Sequence, residues 1–269
     1  MMAVGFNLQY GVARVLNISH GEFIMLGALA AYTLYVTFGI NPLVSLVICA
    51  PILFIIGFLI HRTLFERLRR LSETMEVFEG RSLLVTFGVL FMIQNVALLA
   101  WGPELRGYTF LVSPVNLLGA IFALNRLVVL GFAVAISLAF FLFLMRTHLG
   151  KAIRGATQEM TSAQLVGINI HWMHGLCFGF GVLLAGLAGI LMSTMFSASP
   201  FMGLPYTIIA IIVVVLGGLG NILGSLVGGL ILGLIGSIVL YIEPALQLVV
   251  FYMLFMLIVL VKPKGILGK

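Results

Sequence analysis

Apolar residues run along this chain in long, nearly unbroken stretches separated by short polar or Gly/Pro-containing breaks. The apolar character continues around every helical face, which marks membrane-spanning helices rather than surface amphipathic ones. Between Met160 and Ile242 there are 83 residues without Asp, Glu, Lys or Arg. That run allows more than one crossing of a ~30 Å hydrocarbon core at ~20 residues per crossing. Barrel strands would instead alternate in ~10-residue units. Spans are predicted over 21–38, 43–61, 82–101, 121–145, 174–196, 205–217, 222–241 and 245–261. The segment 205–217 is short, so it either begins earlier, near Ser199, or stops inside the bilayer as a discontinuous helix. Residues 1–13 are too short for an independent crossing, and the polar Asn7-Leu8-Gln9 run argues against simple lipid exposure. Breakers at 39–42, 101–104, 199–200, 217–221 and 243–244 separate the spans.

Composition sharpens this pattern. The 269 residues are 62% hydrophobic and 8% charged, against about a quarter charged in soluble domains. A water-facing surface cannot be assembled from that supply. The fold class is therefore an all-α polytopic membrane protein, one transmembrane domain over 1–269 with about eight transmembrane or discontinuous helices. The net charge of +6 does not point to nucleic acid, because the basic residues flank spans, where anionic lipid is the counter-charge. Cys49 and Cys177 lie in separate apolar stretches without metal-ligand spacing. No metal or enzyme site is predicted: aspartate is absent and the glutamates are mostly in connectors.

Charge also predicts sidedness. Connectors at 62–81 and 146–172 hold Arg62, Arg67, Arg69, Arg70, Arg81, Arg146, Lys151 and Arg154, and the tail adds Lys262, Lys264 and Lys269. With Arg14, twelve of fourteen basic residues are expected on the cytoplasmic side, as is the C-terminus, leaving Arg106 and Arg126 outside. The 61–81 connector reads as an interfacial amphipathic helix.

Several polar groups within this apolar background are candidates for function. Asn17, Ser19, His20, Gly21 and Glu22 stand at the start of a span, either as a broken-helix motif lining a cavity or as an ordinary helix cap. Gln94 and Asn95 lie inside a span, where unpaired amides in hydrocarbon are costly, so they are expected to face another helix or a wet cavity. His171 and His174 read as interface anchors. Glycines at 175, 179, 181, 186, 189, 224, 228, 229, 233 and 236 predict smooth helix faces for close packing. The 151–169 segment is a short helix candidate. With 160–166 helical, Glu159 and Ala163 share a face and Gly167 ends it. It suits either a partner-docking element or a lipid-surface helix. The glycine-rich runs lack GxxxxGK[ST], so ATP chemistry of that type must come from another polypeptide.

These pieces together resemble the permease family of branched-chain amino acid ABC importers. The resemblance rests on NISHGEFIMLGAL at 17–29, KAIRGATQEMTSAQLVGI at 151–168, LLAGLAGIL at 183–191, LGGLGNILGSLVGG at 216–229 and KPKGILG at 262–268. It implies a non-enzymatic transport subunit of the cytoplasmic membrane, with no cofactor of its own. Its expected partners are a paralogous permease subunit, two cytoplasmic ATPases carrying MgATP, and an external substrate-binding protein. It further implies that Glu159, Ala163 and Gly167, flanked by Arg154, form the ATPase-coupling loop. Asn17, His20, Gly21 and Glu22 then shape a discontinuous membrane segment. Urea or amide transport and a non-transporting assembly role are the alternatives, with a secondary transporter or channel behind them. Family members have a fuller first helix before the part matching Gly5–Gly11, so the first helix is expected to be cut short here by a start assigned downstream of the true one.

Overall fold

A computed structural model describes residues 1–117, 120–262 and 265–267. Lys264 and Lys269, counted above for sidedness, lie outside the described residues. The chain is helical almost throughout: α1 (Met2–Ala13), α2 (His20–Phe38), α3 (Pro42–Ile60), α4 (Glu66–Arg70), α5 (Met75–Trp101), α6 (Leu124–Arg146), α7 (His148–Gln158), α8 (Met160–Leu165), α9 (Ile170–Ser193), α10 (Gly203–Gly217), α11 (Ile222–Ile242) and α12 (Gln247–Val261). Among the described residues seven helices are long and apolar enough to cross a membrane, and α10 is a shorter apolar one. At 1.5 Å per residue, α10 is about 22 Å long and α1 about 18 Å, both short of the hydrocarbon thickness.

Local chemistry sets the helix starts. The side chains of Asn41, Thr74, Thr147, Asn169 and Asn221 each accept a hydrogen bond from a backbone N–H in the first turn of α3, α5, α7, α9 and α11. Such caps satisfy donors that the helix itself leaves open. The expected breakers fall at helix ends, except 199–200, which lies in the link between α9 and α10.

Two expected elements differ. The 61–81 connector is not one interfacial helix: α3 continues through a π-turn at His61–Phe65 into α4, and α5 begins at Met75 after the Thr74 cap. Its polar residues therefore extend two membrane helices. Arg69 stays at the bundle by donating to the Ala13 carbonyl (2.7 Å) and lying over the Phe78 ring. The span expected at 121–145 starts late, because Ala120–Ala123 pairs antiparallel with Pro114–Leu117 before α6 begins at Leu124.

The centre of the bundle is α9, which packs against α1, α2 and α3. Its glycines allow this. A Cβ on Gly189 would land on the Ile24 carbonyl of α2, one on Gly186 would meet Leu53 of α3, and one on Gly181 would meet Gln9 of α1. Without a hydrophobic driving force between helices in lipid, such backbone approach is what van der Waals packing requires. In α11, Gly224 and Gly228 pack closely on α10, whereas Gly233 meets nothing.

Candidate functional site

The link 14–19 runs back along α1, so that the His20 ring reaches the Met2 carbonyl (Nε2 to O, 3.0 Å). Helix α2 therefore starts beside the beginning of α1 and inside the bundle. Asn17, Ser19, His20 and Glu22 are all buried.

Burial of this many polar groups requires partners, and α1 provides them. The Gln9 amide donates to the Phe178 carbonyl (3.2 Å), which orients its oxygen toward Asn17 Nδ2 and His20 Nδ1, each at 3.1 Å. Ser19 donates to Asn17 Oδ1 at 2.6 Å. Because Gln9 Oε1 and the Met2 carbonyl are both acceptors, a neutral His20 ring donates to only one of them at a time.

A second interior helix start meets this node. Thr207 of α10 accepts from the Gly21 N–H (2.7 Å) and donates to the Ile18 carbonyl (2.9 Å). Glu22 lies against Gly203, where a Cβ would overlap its carboxylate, and neither carboxylate oxygen has a hydrogen-bond partner. At the far end of α10, Asn7 of α1 donates to Ser225 (2.6 Å) and to the Asn221 carbonyl (2.8 Å), and accepts from the Gly220 N–H. Helix α1 thus holds α2 at one end of α10 and the 218–221 link at the other.

Gln94 and Asn95, expected to face another helix or a wet cavity, do not join this node. The buried face of α5 carries Ser82, Thr86, Val89, Leu90, Ile93 and Ala97. Asn95 points away from it and is exposed, its amide donating to Phe91 of the same helix (2.7 Å), and Gln94 is half-buried. His174 is likewise not an interface anchor: it is buried, its ring 6.0 Å from that of His61, while His171 is exposed. Asn7, Gln9 and Thr207 are the node residues that the sequence did not single out as a site. The signal for the first two was amides in an otherwise apolar helix.

The second candidate region lies at α7 and α8. Glu159 is exposed in extended backbone between them, and Ala163 is buried. Gly167 adopts φ +86, with its N–H on the Gln164 carbonyl and the Ile168 N–H on the Ala163 carbonyl. This left-handed termination favours glycine. Leu165 and Val166 at the tip are 85% and 77% exposed. Arg154 donates to the Leu144 carbonyl and ties α7 to the end of α6. One apolar cluster joins Ile153 and Ala156 of α7 and Ala163 of α8 to Val4, Leu8 and Val12 of α1 and to Met173 and Cys177 of α9.

On the opposite side of the bundle, Arg106 and Ala198 exchange backbone bonds, and Tyr108 stacks on Tyr35 and bonds Ser193 (2.8 Å). Burial pushes the Tyr108 phenol above its usual pKa, and the Ser193 bond acts in the other direction.

The family model for the permease component of branched-chain amino acid transport systems matches residues 1–259. The chain belongs to that family. The permease is similar to the high-affinity branched-chain amino acid transport system permease protein BraD of Pseudomonas aeruginosa, 27% identical over all of this chain and 91% of the relative. LivH of Salmonella typhimurium, which bears the same description, gives the same identity and coverage. The probable branched-chain amino acid transport permease LivH of Methanocaldococcus jannaschii is 26% identical over 83% of this chain and 71% of its own length. No solved structure matches the permease. It is a multi-pass membrane protein of a transport permease family.

Proposed function

We propose that this permease is one half of the membrane conduit of an ATP-driven importer of branched-chain amino acids. A paralogous permease subunit completes the conduit, two cytoplasmic ATPases holding MgATP drive it, and an external binding protein delivers substrate. The α7–α8 segment faces the cytoplasm, as the excess of basic residues around it favours. Its apolar tip at Leu165 and Val166 is the docking face for an ATPase, since exposed apolar residues on a water-facing loop otherwise gain nothing.

The observation that carries this reading is the apolar cluster continuous from α7 and α8 into α1. Movement of the coupling segment displaces α1, and α1 carries Gln9, the shared partner of Asn17 and His20. The starts of α2 and α10 then move relative to each other, opening the pathway to one side or the other. Interior helix starts and the Glu22 carboxylate replace water around the charged ends of an amino acid, and apolar walls suit its side chain. Glu159, Ala163, Gly167 and Arg154 act in coupling, and Asn17, His20, Gly21 and Glu22 at the gate.

Reconstitution of the chain with its ATPases, paralogous subunit and binding protein tests this with labelled leucine. Uptake should require ATP and should be competed by isoleucine and valine. Uptake indifferent to nucleotide would remove the motor from the reading, and competition by urea in place of valine would reassign the substrate.

A further inference from the structure

A cavity of about 570 Å3 opens at the end of the bundle where the last turns of α1 and α6 meet the second half of α7 and the link from α10 into α11. Its lining is divided in chemistry. Arg14 and Arg154 supply guanidinium groups and Tyr10 a phenol, whereas Phe141, Met145 and Leu223 supply apolar wall. Among the described residues no carboxylate lines it and the salt bridge is Arg70 to Glu66, so neither cation has a carboxylate partner among them. Arg154 has one nitrogen on the Leu144 carbonyl and the Met145 sulfur, which fixes the group in place without cancelling its charge. Arg14 is held over the Tyr10 ring at 5.8 Å, in a left-handed backbone conformation at φ 55 that directs the chain out of α1.

We infer that this cavity binds the headgroup of an anionic phospholipid, its phosphate between Arg14 and Arg154 and its acyl chains along Phe141, Met145 and Leu223. Two guanidinium groups without a carboxylate partner among the described residues match a phosphate diester. A free phosphate shares that chemistry, but the apolar wall at the last turns of a membrane helix gives it nothing, while a lipid satisfies both parts. Clustered basic residues at a membrane boundary draw anionic lipid at about a fivefold gain for each residue. The bound lipid would touch α1 and α7 together, so this site lies on the mechanical link between them. Its occupancy does not depend on the proposed substrate or on which side of the membrane α7 faces.

The test is native mass spectrometry of the full chain equilibrated in micelles containing equal phosphatidylglycerol and phosphatidylcholine. The wild type should retain phosphatidylglycerol preferentially. Arg14→Asn, chosen because Asn tolerates the left-handed backbone, should cut that preference about fivefold. Arg14→Lys should keep most of it, and Arg81→Gln, exposed and outside the cavity, should leave it unchanged. Arg154→Gln should cause a comparable loss, with thermal melting run alongside because this residue also ties α7 to α6. Equal retention of the two lipids by the wild type, or a preference unaltered by Arg14→Asn, overturns the site. Inorganic phosphate added to the same sample should not displace the lipid; displacement by phosphate alone would assign the cavity to a soluble anion and overturn the lipid.

Discussion

Helices α9 and α12 are both apolar from end to end, yet they occupy opposite places. Most of the apolar window of α9 is buried (83%), against 6% for the segment Pro244–Val261 that contains α12. Hydrophobicity brings both into the bilayer, where lipid tails are as apolar as leucine and do not select one for the centre. The difference is in side-chain size. Glycines at 175, 179, 181, 186 and 189 let α9 receive α1, α2 and α3 at backbone distance, and α12 has no glycine. In this membrane bundle, small residues permit the close contacts of the hub where neighbouring helices face them; α11 has as many glycines and is 28% buried.

The most severe test of that contrast is Gly189→Val. Its Cβ would fall on the Ile24 carbonyl, which is backbone and cannot rotate away, so a loss of about 3 kcal/mol or more, at the upper end for overpacking, is expected. Thermal unfolding of the purified chain reads it, and a melting temperature matching the wild type would break the account of α9 as hub. Next in size is Gln9→Leu, which strips Asn17, His20 and the Phe178 carbonyl of their common partner. About 2–3 kcal/mol of destabilisation is expected from donors and acceptors left buried and unpaired. Survival of the full melting temperature would mean that the node does not hold α1 to α2.

Gly167→Val sharpens the contrast between interior and exposed regions. The left-handed backbone costs a side chain about 1–2 kcal/mol, but the site is exposed and a Cβ there meets nothing. Folding should persist while ATP-driven uptake falls by about tenfold, the equivalent of ~1.4 kcal/mol in the barrier. Uptake at the wild-type rate would separate α8 from coupling. Glu22→Gln acts in the opposite direction on stability. Removing a buried carboxyl group that has no hydrogen-bond partner should raise stability by about 1 kcal/mol and lower uptake, so a variant that is more stable and fully active would place Glu22 outside the pathway. The smallest effect belongs to α12, where Met256→Ala on an exposed face should stay within about 0.5 kcal/mol.

Much of the architecture was legible before any contact was known. Long apolar runs and Gly/Pro breaks place the helices to within a few residues, since both signals are local. Gly167 is a further example, because termination depends on its own φ and its immediate neighbours. The hairpin before α6 was hidden inside an apolar run, and the polar 61–81 segment was divided between two helices by a π-turn and the Thr74 cap. Gln94 and Asn95 look like buried polar groups in sequence. Gln94, four residues after Leu90 and three before Ala97, sits at the edge of the buried face of α5 and is half-buried, whereas Asn95, two residues from Ile93 and Ala97, faces away and satisfies its amide within its own helix.

By itself the amino-acid sequence determined that this protein lives in a membrane, which segments are helices, and where small residues permit close approach, because these follow from composition and short-range spacing. Only the tertiary structure decided that Gln9 serves Asn17 and His20, that Thr207 joins α2 to α10, and that Arg14 and Arg154 share one cavity. Those pairings bring together groups as far as 189 residues apart. Their geometry depends on how the helices pack, and no local preference of the chain carries that information.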